Sequence, residues 1–321
     1  MAQHFLLSAA SKTLKLKDIY QGGEDAAYAK FCALRWPEND GEAVCPRCGC
    51  CDAYSIKSRR KFECKACKHH FSVTSGTIFA SRKLSFMDIL AAICILANAA
   101  KGLSSVQLSR DLGVQYRTAF VLAHKVREAL ATETKETILD DECEIDGAFF
   151  GGAVRPHNIE AKRVDRRLKE NRSPKRRVVI ALRERGGRTL TKVARREAEG
   201  VEFAMERLDR TARLNADEAA HWDELEAIFP LKRINHSEAY SLNGACTNQA
   251  ESYFSRLRRM VGGQHHHVSA QYLHQYAAHA AWLADHCRES NGALANRIVR
   301  NAMTAPVSRQ WKGYWQRHQA A

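Results

Sequence analysis

The stretch Cys246-Thr-Asn-Gln-Ala-Glu251-Ser-Tyr-Phe-Ser-Arg-Leu-Arg258 has the pattern of a helix that is buried on one side. Thr247 and Asn248 are both favourable residues for its N-terminal cap. Four apolar residues recur at steps of four, three and four and predict a core-facing stripe: Ala250, Phe254, Leu257 and Val261. Glu251 and Arg258 are seven residues apart, so about two turns separate them on one face. One rigid element thus presents a carboxylate and a cation, unless Asn248 only caps the helix, Glu251 completes a capping box and Arg258 is solvated.

The bulk composition favours a globular protein with more than one core and a polyanionic partner. The chain has 321 residues, 45% of them hydrophobic, and this length is typical of two or three units. Fifty Lys and Arg residues against 36 Asp and Glu residues give a net charge of +14, more than solubility requires of such a domain. The excess indicates nucleic acid as the partner.

Eleven cysteines occur without an N-terminal segment of the secretory type, which favours a reducing cytosol and metal ligation over disulfides. The longest apolar run, Met87 to Ala100, contains Asp88 and Asn98 and is too short to span a bilayer. We therefore expect a cytoplasmic protein without a membrane partner.

Two Cys-x-x-Cys pairs, Cys45-Pro-Arg-Cys48 and Cys64-Lys-Ala-Cys67, have 15 residues between them. Each pair forms a tight knuckle, and two knuckles complete a tetrahedral four-thiolate zinc site, so the segment is predicted to be a zinc ribbon with short strands. Cys50 and Cys51 offer an alternative register, and buried cysteines or a redox pair are the alternatives to zinc. A filled four-thiolate site has no open position, which predicts a structural role.

Apolar stripes then predict three helices, over 84–100, 104–112 and 115–127, with Gly113-Val114 as the turn between the last two. A helix, a short turn and a second helix form the helix-turn-helix pattern, whose second helix enters the major groove of DNA. Candidate contacts to bases or phosphates are Gln115, Tyr116, Arg117, Thr118 and Lys125. A three-helix bundle with a protein partner is the alternative, and the net charge favours DNA.

After a linker at 131–140, the pattern changes to strands. Residues 141–152 alternate, with Glu142, Glu144 and Asp146 on one face, and several carboxylates there are unfavourable unless water or cations surround them. The further predictions are strands over 177–183 and 189–194 with a Gly186-Gly187 turn, a helix over 200–209, a strand ending at Asp217 and another at 231–236. This order suits a ribonuclease-H-like sheet with helices on its faces.

Asp146, Asp217 and Glu251 therefore lie on three elements that such a sheet brings together. Three carboxylates can hold two hard cations, which suits in-line phosphoryl transfer: one ion activates water or a 3′-hydroxyl, and the other stabilises the leaving oxygen. Glu218, next to Asp217, leaves the second acid ambiguous by one residue. The basic segment from Arg155 to Lys175 is expected to clamp the DNA backbone, or else to be a solvated loop.

Several motifs in combination resemble those of DDE-type insertion-sequence transposases with an N-terminal zinc ribbon, the ISXO2-like family. Between residues 23 and 290 these are CPRCG…CKAC followed by HFSVTSGTIF, LGVQYRTAFVLAHKVRE, EIDGAFFGG, and NHSEAYSLNGACTNQAESYFSRLRR…GGQHHHVSAQYLHQY. The resemblance implies binding of the terminal inverted repeats of a mobile element, and magnesium- or manganese-dependent strand cleavage and strand transfer. It also implies a homodimer or larger synaptic assembly on double-stranded DNA, associated with the nucleoid of a prokaryotic cell.

Residue by residue, Asp146 and Asp217 match the first two acids of the family. Its third position is described as Asn or Glu, so Asn248 and Glu251 both stay open. We favour Glu251 because a carboxylate is a better ligand for a hard cation than an amide. Many members have Lys where this chain has Arg258, which keeps the charge but presents it as a planar fork.

The predicted architecture is a multi-domain α+β chain of five segments. They are a lead-in with an N-terminal helix at 1–38, a zinc ribbon at 39–80, a helix-turn-helix domain at 81–135, a ribonuclease-H-like α/β catalytic domain at 138–290 and a basic C-terminal tail at 291–321. Structural zinc and catalytic magnesium or manganese are the expected cofactors. The alternative function is a regulator derived from a transposase that binds DNA without cutting it, and a nuclease of the same fold is a third hypothesis.

Overall fold

The computed structural model describes residues 4–152, 156–165, 168, 171, 173–235, 238–241 and 244–317. They divide into two compact units. The ribbon unit comprises the described residues of 1–133 and 286–321, and the sheet unit comprises those of 134–285. None of the helices in these ranges combines the length and the apolarity that crossing a bilayer requires.

Runs of helices and runs of strands follow one another along the described chain. The helices are α1 (Leu16–Arg35), α2 (Phe86–Asn98), α3 (Ser105–Asp111), α4 (Tyr116–Ala131), α5 (Glu199–Arg207), α6 (Asp223–Glu226), α7 (Asn248–Arg259), α8 (Leu273–Asp285), α9 (Asn291–Thr304) and α10 (Tyr314–Arg317). The strands are β1 (Ala53–Ile56), β2 (Lys61–Cys64), β3 (His70–Phe71), β4 (Glu142–Phe150), β5 (Arg177–Glu184), β6 (Thr189–Ala194), β7 (Arg213–Asp217) and β8 (Leu231–Ile234). A π-helical turn, Met260–His265, continues α7.

A small antiparallel sheet in the order β1-β2-β3 forms the ribbon around the cysteine pairs. Trp36, at the end of α1, packs edge-on against Phe62 and Phe71, with ring centroids 5.7 and 6.5 Å apart. Such aromatic pairs stabilise beyond the area they bury. They give this short sheet a core that it shares with α1.

The three helices predicted after the ribbon are confirmed as α2, α3 and α4, with their ends within four residues of the predicted ones. Ser85 and Ser104 cap α2 and α3, each through its side-chain oxygen. Gly113 has φ +64°, a conformation that glycine adopts without strain, and it turns the chain between α3 and α4.

The C-terminal region differs from the predicted basic tail at 291–321. Helix α9 packs against α1, α2 and α4 in the ribbon unit, and Trp311 beyond it is 1% exposed. Leu294, Ile298 and Met303 lie on the buried side of α9. An apolar stripe therefore anchors this segment, and the prediction considered only its basic residues. The sheet unit ends at Asp285, short of the predicted limit at 290.

The sheet unit contains five strands in the order β6-β5-β4-β7-β8. Strands β6, β5 and β4 are antiparallel neighbours, whereas β7 and β8 continue the sheet in parallel. The strand predicted at 189–194 is confirmed residue for residue, and β7 ends at Asp217 as predicted. His236, the end of the last predicted strand, lies outside the described residues.

Side chains that alternate along the strands contribute to two hydrophobic clusters, one on each face of this sheet. Ile145 points to one face, with Trp222 in its core cluster. Ala148 points to the other, where Phe254 of α7 and residues of α8 cover it. Because successive side chains alternate, Asp146 lies on the same face as Ala148, under α7.

Candidate active site and zinc site

The four cysteines of the two pairs converge at one point of the ribbon. The Sγ atoms of Cys45 and Cys67 are 3.7 Å apart, and those of Cys48 and Cys64 are 3.5 Å apart. All four sulfur atoms lie within 4.8 Å of one another. Four thiolates that bind zinc at about 2.3 Å are separated by about 3.8 Å along each edge of a tetrahedron. The cysteines therefore fit structural zinc.

Cys50 and Cys51 do not belong to this set, so the first knuckle uses Cys45 and Cys48 as predicted. Burial and a backbone N–H act in opposite directions on these thiols. At Cys64 the hydrogen bond from the Cys67 backbone is the largest effect, and the pKa falls to about 6. At neighbouring Cys48 the backbone of Cys50 acts in the same direction, but hydrogen bonds with the Cys67 and Cys64 thiols outweigh it and raise the pKa, so the set shares its protons. A depressed thiol pKa favours the thiolate, which is the form that binds metal.

Two of the three acids on the face of β4 that α7 covers have structural partners. Glu144 is fully buried, and its Oε2 accepts hydrogen bonds from the backbone N–H groups of Gln249 at 2.7 Å and Ala250 at 3.0 Å. Its Oε1 accepts a hydrogen bond from Arg185 Nε at 3.1 Å. Thr247, the N-cap residue, makes no side-chain cap bond. A carboxylate from the sheet thus caps α7, in place of the local cap that the sequence suggests.

Arg185 joins these acids to the segment that precedes α7. Besides Glu144 it pairs with Glu142 at 2.5 Å, and Asn215 donates to Glu142 at 3.2 Å. Its Nη2 also donates to the Sγ of Cys246 at 2.7 Å. Glu142 and Glu144 therefore have the positive partners that acids on one strand face need.

The register of the sheet sets Asp146 beside Asp217. Strands β4 and β7 are parallel, and Glu142 lies opposite Arg213, an offset of 213 − 142 = 71 residues. The same offset takes Asp146 to 146 + 71 = 217, two residues beyond the last paired position. Neighbouring strands are about 4.8 Å apart, and residues at the same level of parallel strands point to the same face. The two acids therefore share one face at one level of the sheet.

The electrostatics of Asp146 indicate that other carboxylates are close. Burial raises the pKa of Asp146 to about 7. The N–H of Gly147, 2.7 Å from Oδ1, opposes the rise, whereas the charges of Asp217, Glu197 and Glu251 add to it. Glu251, although it is far along the chain on α7, thus faces the same site as the two strand acids. A cation bound among such carboxylates would favour their charged forms.

The predicted polar residues of α7 lie outside its apolar stripe. Asn248 is the first residue of the helix and is exposed, and Glu251 is half-buried. Arg258 is exposed, with its guanidinium 6.0 Å from the ring centroid of Phe254. Steps of three and seven residues keep Asn248, Glu251 and Arg258 within about 80° around the helix axis. The amide, the carboxylate and the cation therefore lie on one side of the helix.

Glu197 is a fourth acid that the sequence analysis missed. It lies between β6 and α5, and a Cβ added to Gly147 would be 1.9 Å from its Oε1. Burial and the charge of Asp217 raise the pKa of Glu197 to about 7, against the effect of Arg176. Its Oε2 is 4.0 Å from His221 Nε2. The available signal was Gly147, a glycine inside a strand, which is a mark of close approach.

Asp217, and not its exposed neighbour Glu218, is among the charges that act on Asp146. Hard oxygen ligands on separate elements fit magnesium or manganese in kind. Within the described ranges, however, the cysteines and not the acids are the set whose ligand atoms all lie within 4.8 Å. Of the basic segment predicted as a clamp, Arg155 and residues 166–167, 169–170 and 172 lie outside the described residues.

The predicted DNA contacts occupy the first turns of α4. Gln115, Tyr116 and Arg117 are exposed, and Thr118 and Lys125 are half-buried. Arg117 is in contact with the C-terminal region: its guanidinium is 5.1 Å from the ring centroid of Trp315, whose Nε1 donates to the Arg117 carbonyl at 3.3 Å. These residues therefore share their surroundings with aromatic side chains.

Two protein-family models match the chain. Residues 138–285 match the ISXO2-like transposase domain, and residues 22–70 match the transposase zinc-ribbon domain. No curated protein and no solved structure matches it. The first match covers the sheet unit with its acids, and the second covers the segment that ends with the ribbon. The chain therefore belongs to the ISXO2-like family of DDE transposases with an N-terminal zinc ribbon.

Proposed function

We propose that this chain binds the terminal inverted repeats of an insertion sequence and catalyses metal-dependent DNA strand cleavage and strand transfer. The observation that carries the proposal is the common level of Asp146 and Asp217 on neighbouring strands, with the Glu251 charge acting on Asp146. Magnesium or manganese is the proposed catalytic cofactor, and Asp146, Asp217 and Glu251 are its proposed ligands. The proposed setting is the nucleoid in the cytoplasm of a prokaryotic cell.

The order of the sheet supports a ribonuclease-H-like catalytic domain. Three antiparallel strands come first in the chain, and β7 and β8 then join the open edge of β4 in parallel. That arrangement puts one acid within the first strand and another at the end of a neighbour. The proposed domain limits are those given above, except that α9 belongs to the ribbon unit.

Divalent ions at this site would supply an activated water or 3′-hydroxyl and a positive charge on the leaving oxygen. The residues at this site have the charges that would bind such ions. Burial and its acidic neighbours raise the pKa of Asp146 to about 7, so a proton would compete with a cation for this carboxylate near neutral pH. Glu197, against Gly147, brings a further carboxylate beside Asp217.

Glu144 is proposed as a positioning residue. Through the N–H groups of Gln249 and Ala250 it holds the first turn of α7, on which Asn248 and Glu251 stand. A shift of that turn would move Glu251 away from Asp146. Arg258, two turns further along the same side, is proposed to bind a DNA phosphate.

Duplex binding is assigned to the ribbon unit. Helix α3, the Gly113 turn and α4 support a helix-turn-helix reading, with the start of α4 in the major groove. The proposed contacts are Gln115, Tyr116, Arg117, Thr118 and Lys125. Since two element ends are cut together in most such reactions, we propose a dimer or larger assembly on DNA.

The test is cleavage and joining of DNA that carries the inverted repeats of the flanking element, with magnesium. Wild-type protein is expected to cut and join, and Asp146→Asn, Asp217→Asn and Glu251→Gln to lose both reactions by about a thousandfold, a typical loss for removal of a catalytic group. Glu218→Gln is the matched control, because Glu218 is exposed and adjacent to Asp217. Loss in the control equal to that in Asp217→Asn would overturn the assignment.

Asn248→Ala separates the two candidates for the third position. If Glu251 is the ligand, Glu251→Gln abolishes joining and Asn248→Ala retains most of it, and the reverse result transfers the role to Asn248. Tight binding of the ends by wild-type protein without any cleavage would favour the regulator hypothesis. Cleavage without joining would favour the nuclease.

A further inference from the structure

The ribbon unit contains a cavity that neither the zinc site nor the acid site accounts for. Its volume is about 530 Å³, and it is lined by the segment 79–84, the first turns of α4 and residues 311–316. Cavities of roughly 300–1,000 Å³ are the size that holds small ligands. The predicted contacts Gln115, Arg117, Thr118 and Lys125 lie in its wall.

The wall of this cavity is strongly basic. Five of its side chains are cationic and none is acidic: Arg82, Lys83, Arg117, Lys125 and Lys312. In the described part of the chain, no ion pair involves any of the five. Burial lowers the pKa of Lys125, although Glu128 opposes the effect. A cavity wall that has several cations and no carboxylate is suited to bind an anion, and partial burial of the cations strengthens that attraction.

Aromatic rings also line the cavity, next to its cationic side chains. Trp311, Tyr314 and Trp315 line it, and Trp311 is almost fully buried and so forms a fixed wall. Tyr314 and Trp315 are half-buried, with ring centroids 5.2 Å apart and planes at 88°. The Arg117 guanidinium is 5.1 Å from the Trp315 centroid. Cations and ring faces together offer both parts of a nucleotide a partner, phosphate and base.

We infer that this cavity binds an unpaired nucleotide of a DNA strand, with its base against Trp315 or Tyr314 and its phosphate among the lysines and arginines. A base within a duplex has both faces covered by its neighbours, so only an unpaired or extruded base can enter a cavity and stack on a ring. The inference rests on the proposed function in one respect: it takes DNA as the polyanion.

The test measures binding of full-length, zinc-loaded protein to a fluorescent single-stranded oligothymidine of about 12 nucleotides and to a duplex of equal length. Trp315→Ala is expected to weaken single-strand binding about tenfold and duplex binding much less, which is typical of the loss of one stacked base. Trp315→Phe, which keeps a ring, is expected to restore most of the affinity. Lys125→Gln should lower single-strand affinity and its dependence on salt.

Two exposed residues of the same unit provide matched controls, Tyr20→Ala for the ring and Lys101→Gln for the charge. Equal loss of single-strand and duplex binding in Trp315→Ala would overturn the inference. So would competition by inorganic phosphate equal to that by thymidine monophosphate, because the cavity would then recognise an anion without its base. If wild-type protein cuts and joins ends but Trp315→Ala binds single strands normally, the inference fails and the proposed function stands. If Trp315→Ala weakens single-strand binding as expected but wild-type protein never cuts the element ends, the inference stands and the proposed function fails.

Discussion

Replacing Glu144 with alanine should loosen the first turn of α7 and destabilise the sheet unit. The change removes a fully buried carboxylate and leaves the N–H groups of Gln249 and Ala250 without their acceptor. A hydrogen bond to a charged group contributes roughly 1.5–3 kcal/mol net. Removing one partner of a buried charged pair costs about 3–5 kcal/mol. In the variant Arg185 still pairs with Glu142 and is not left as an unpaired charge. We therefore expect the free energy of unfolding to fall by about 3–5 kcal/mol.

Glu144→Gln gives a graded result from the same site. It retains an oxygen that can accept the two helix N–H groups, but neutral hydrogen bonds are about half as strong as charge-assisted ones. Its expected destabilisation is therefore about half that of Glu144→Ala. Glu142→Gln is the matched control, because Glu142 is on the same face of β4 but pairs with Arg185 and Asn215, whereas Glu144 accepts from the N–H groups of α7.

Urea unfolding of the full chain measures the free energy, and amide hydrogen exchange across residues 248–254 shows where the loss occurs. Exchange of the Gln249 and Ala250 amides should accelerate most in Glu144→Ala, less in Glu144→Gln and hardly in Glu142→Gln. If Glu144→Ala is no less stable than Glu142→Gln and these amides exchange as in wild type, Glu144 does not cap α7. Its proposed role in positioning Glu251 would then fall.

Gly147→Ala should displace Glu197, since the new Cβ would be 1.9 Å from its Oε1. It should therefore weaken Mn²⁺ binding as much as Glu197→Gln does. If the double variant loses the sum of the two single losses in Mn²⁺ affinity, the two changes do not act through the same carboxylate. Without metal, stability should fall as pH rises from about 4 to 7, because folded Asp146, with its pKa raised to about 7, holds a proton that the unfolded chain has lost. Magnesium should flatten this dependence, and a profile unchanged in Asp146→Asn would refute the assignment. Cys64→Ser should lose zinc and unfold the ribbon, whereas Cys51→Ser should keep the zinc and the folded ribbon. Metal analysis measures the zinc, and circular dichroism measures the folding.

Local patterns in the sequence predicted the secondary structure and the zinc site well. The four thiols could be assigned because a Cys-x-x-Cys knuckle is made within four residues, and only the pairing of two knuckles needs the fold. Strand β6 and helix α7 were likewise predicted from the periodicity of their own residues. In both cases the deciding interactions are between residues close together in the chain.

The predicted acids were assigned by type and by the element that carries them. The sequence placed Asp146 in a strand, Asp217 at a strand end and Glu251 on a helix. It could not give the register of β4 against β7, which sets Asp146 level with Asp217. Register depends on how whole faces of the sheet are covered, and no single strand contains that information.

What the sequence by itself determined is therefore the ribbon, most helices and strands, and the residue types available for the site. The tertiary structure alone decided that Glu144 caps α7, from a position 106 residues before Ala250, and that Glu197 fills the space beside Gly147. It also decided that residues 291–304 form a packed helix. The physical reason is the same in each case: a buried charge or an apolar stripe requires a partner, and where that partner lies along the chain is set by the packing of the whole unit.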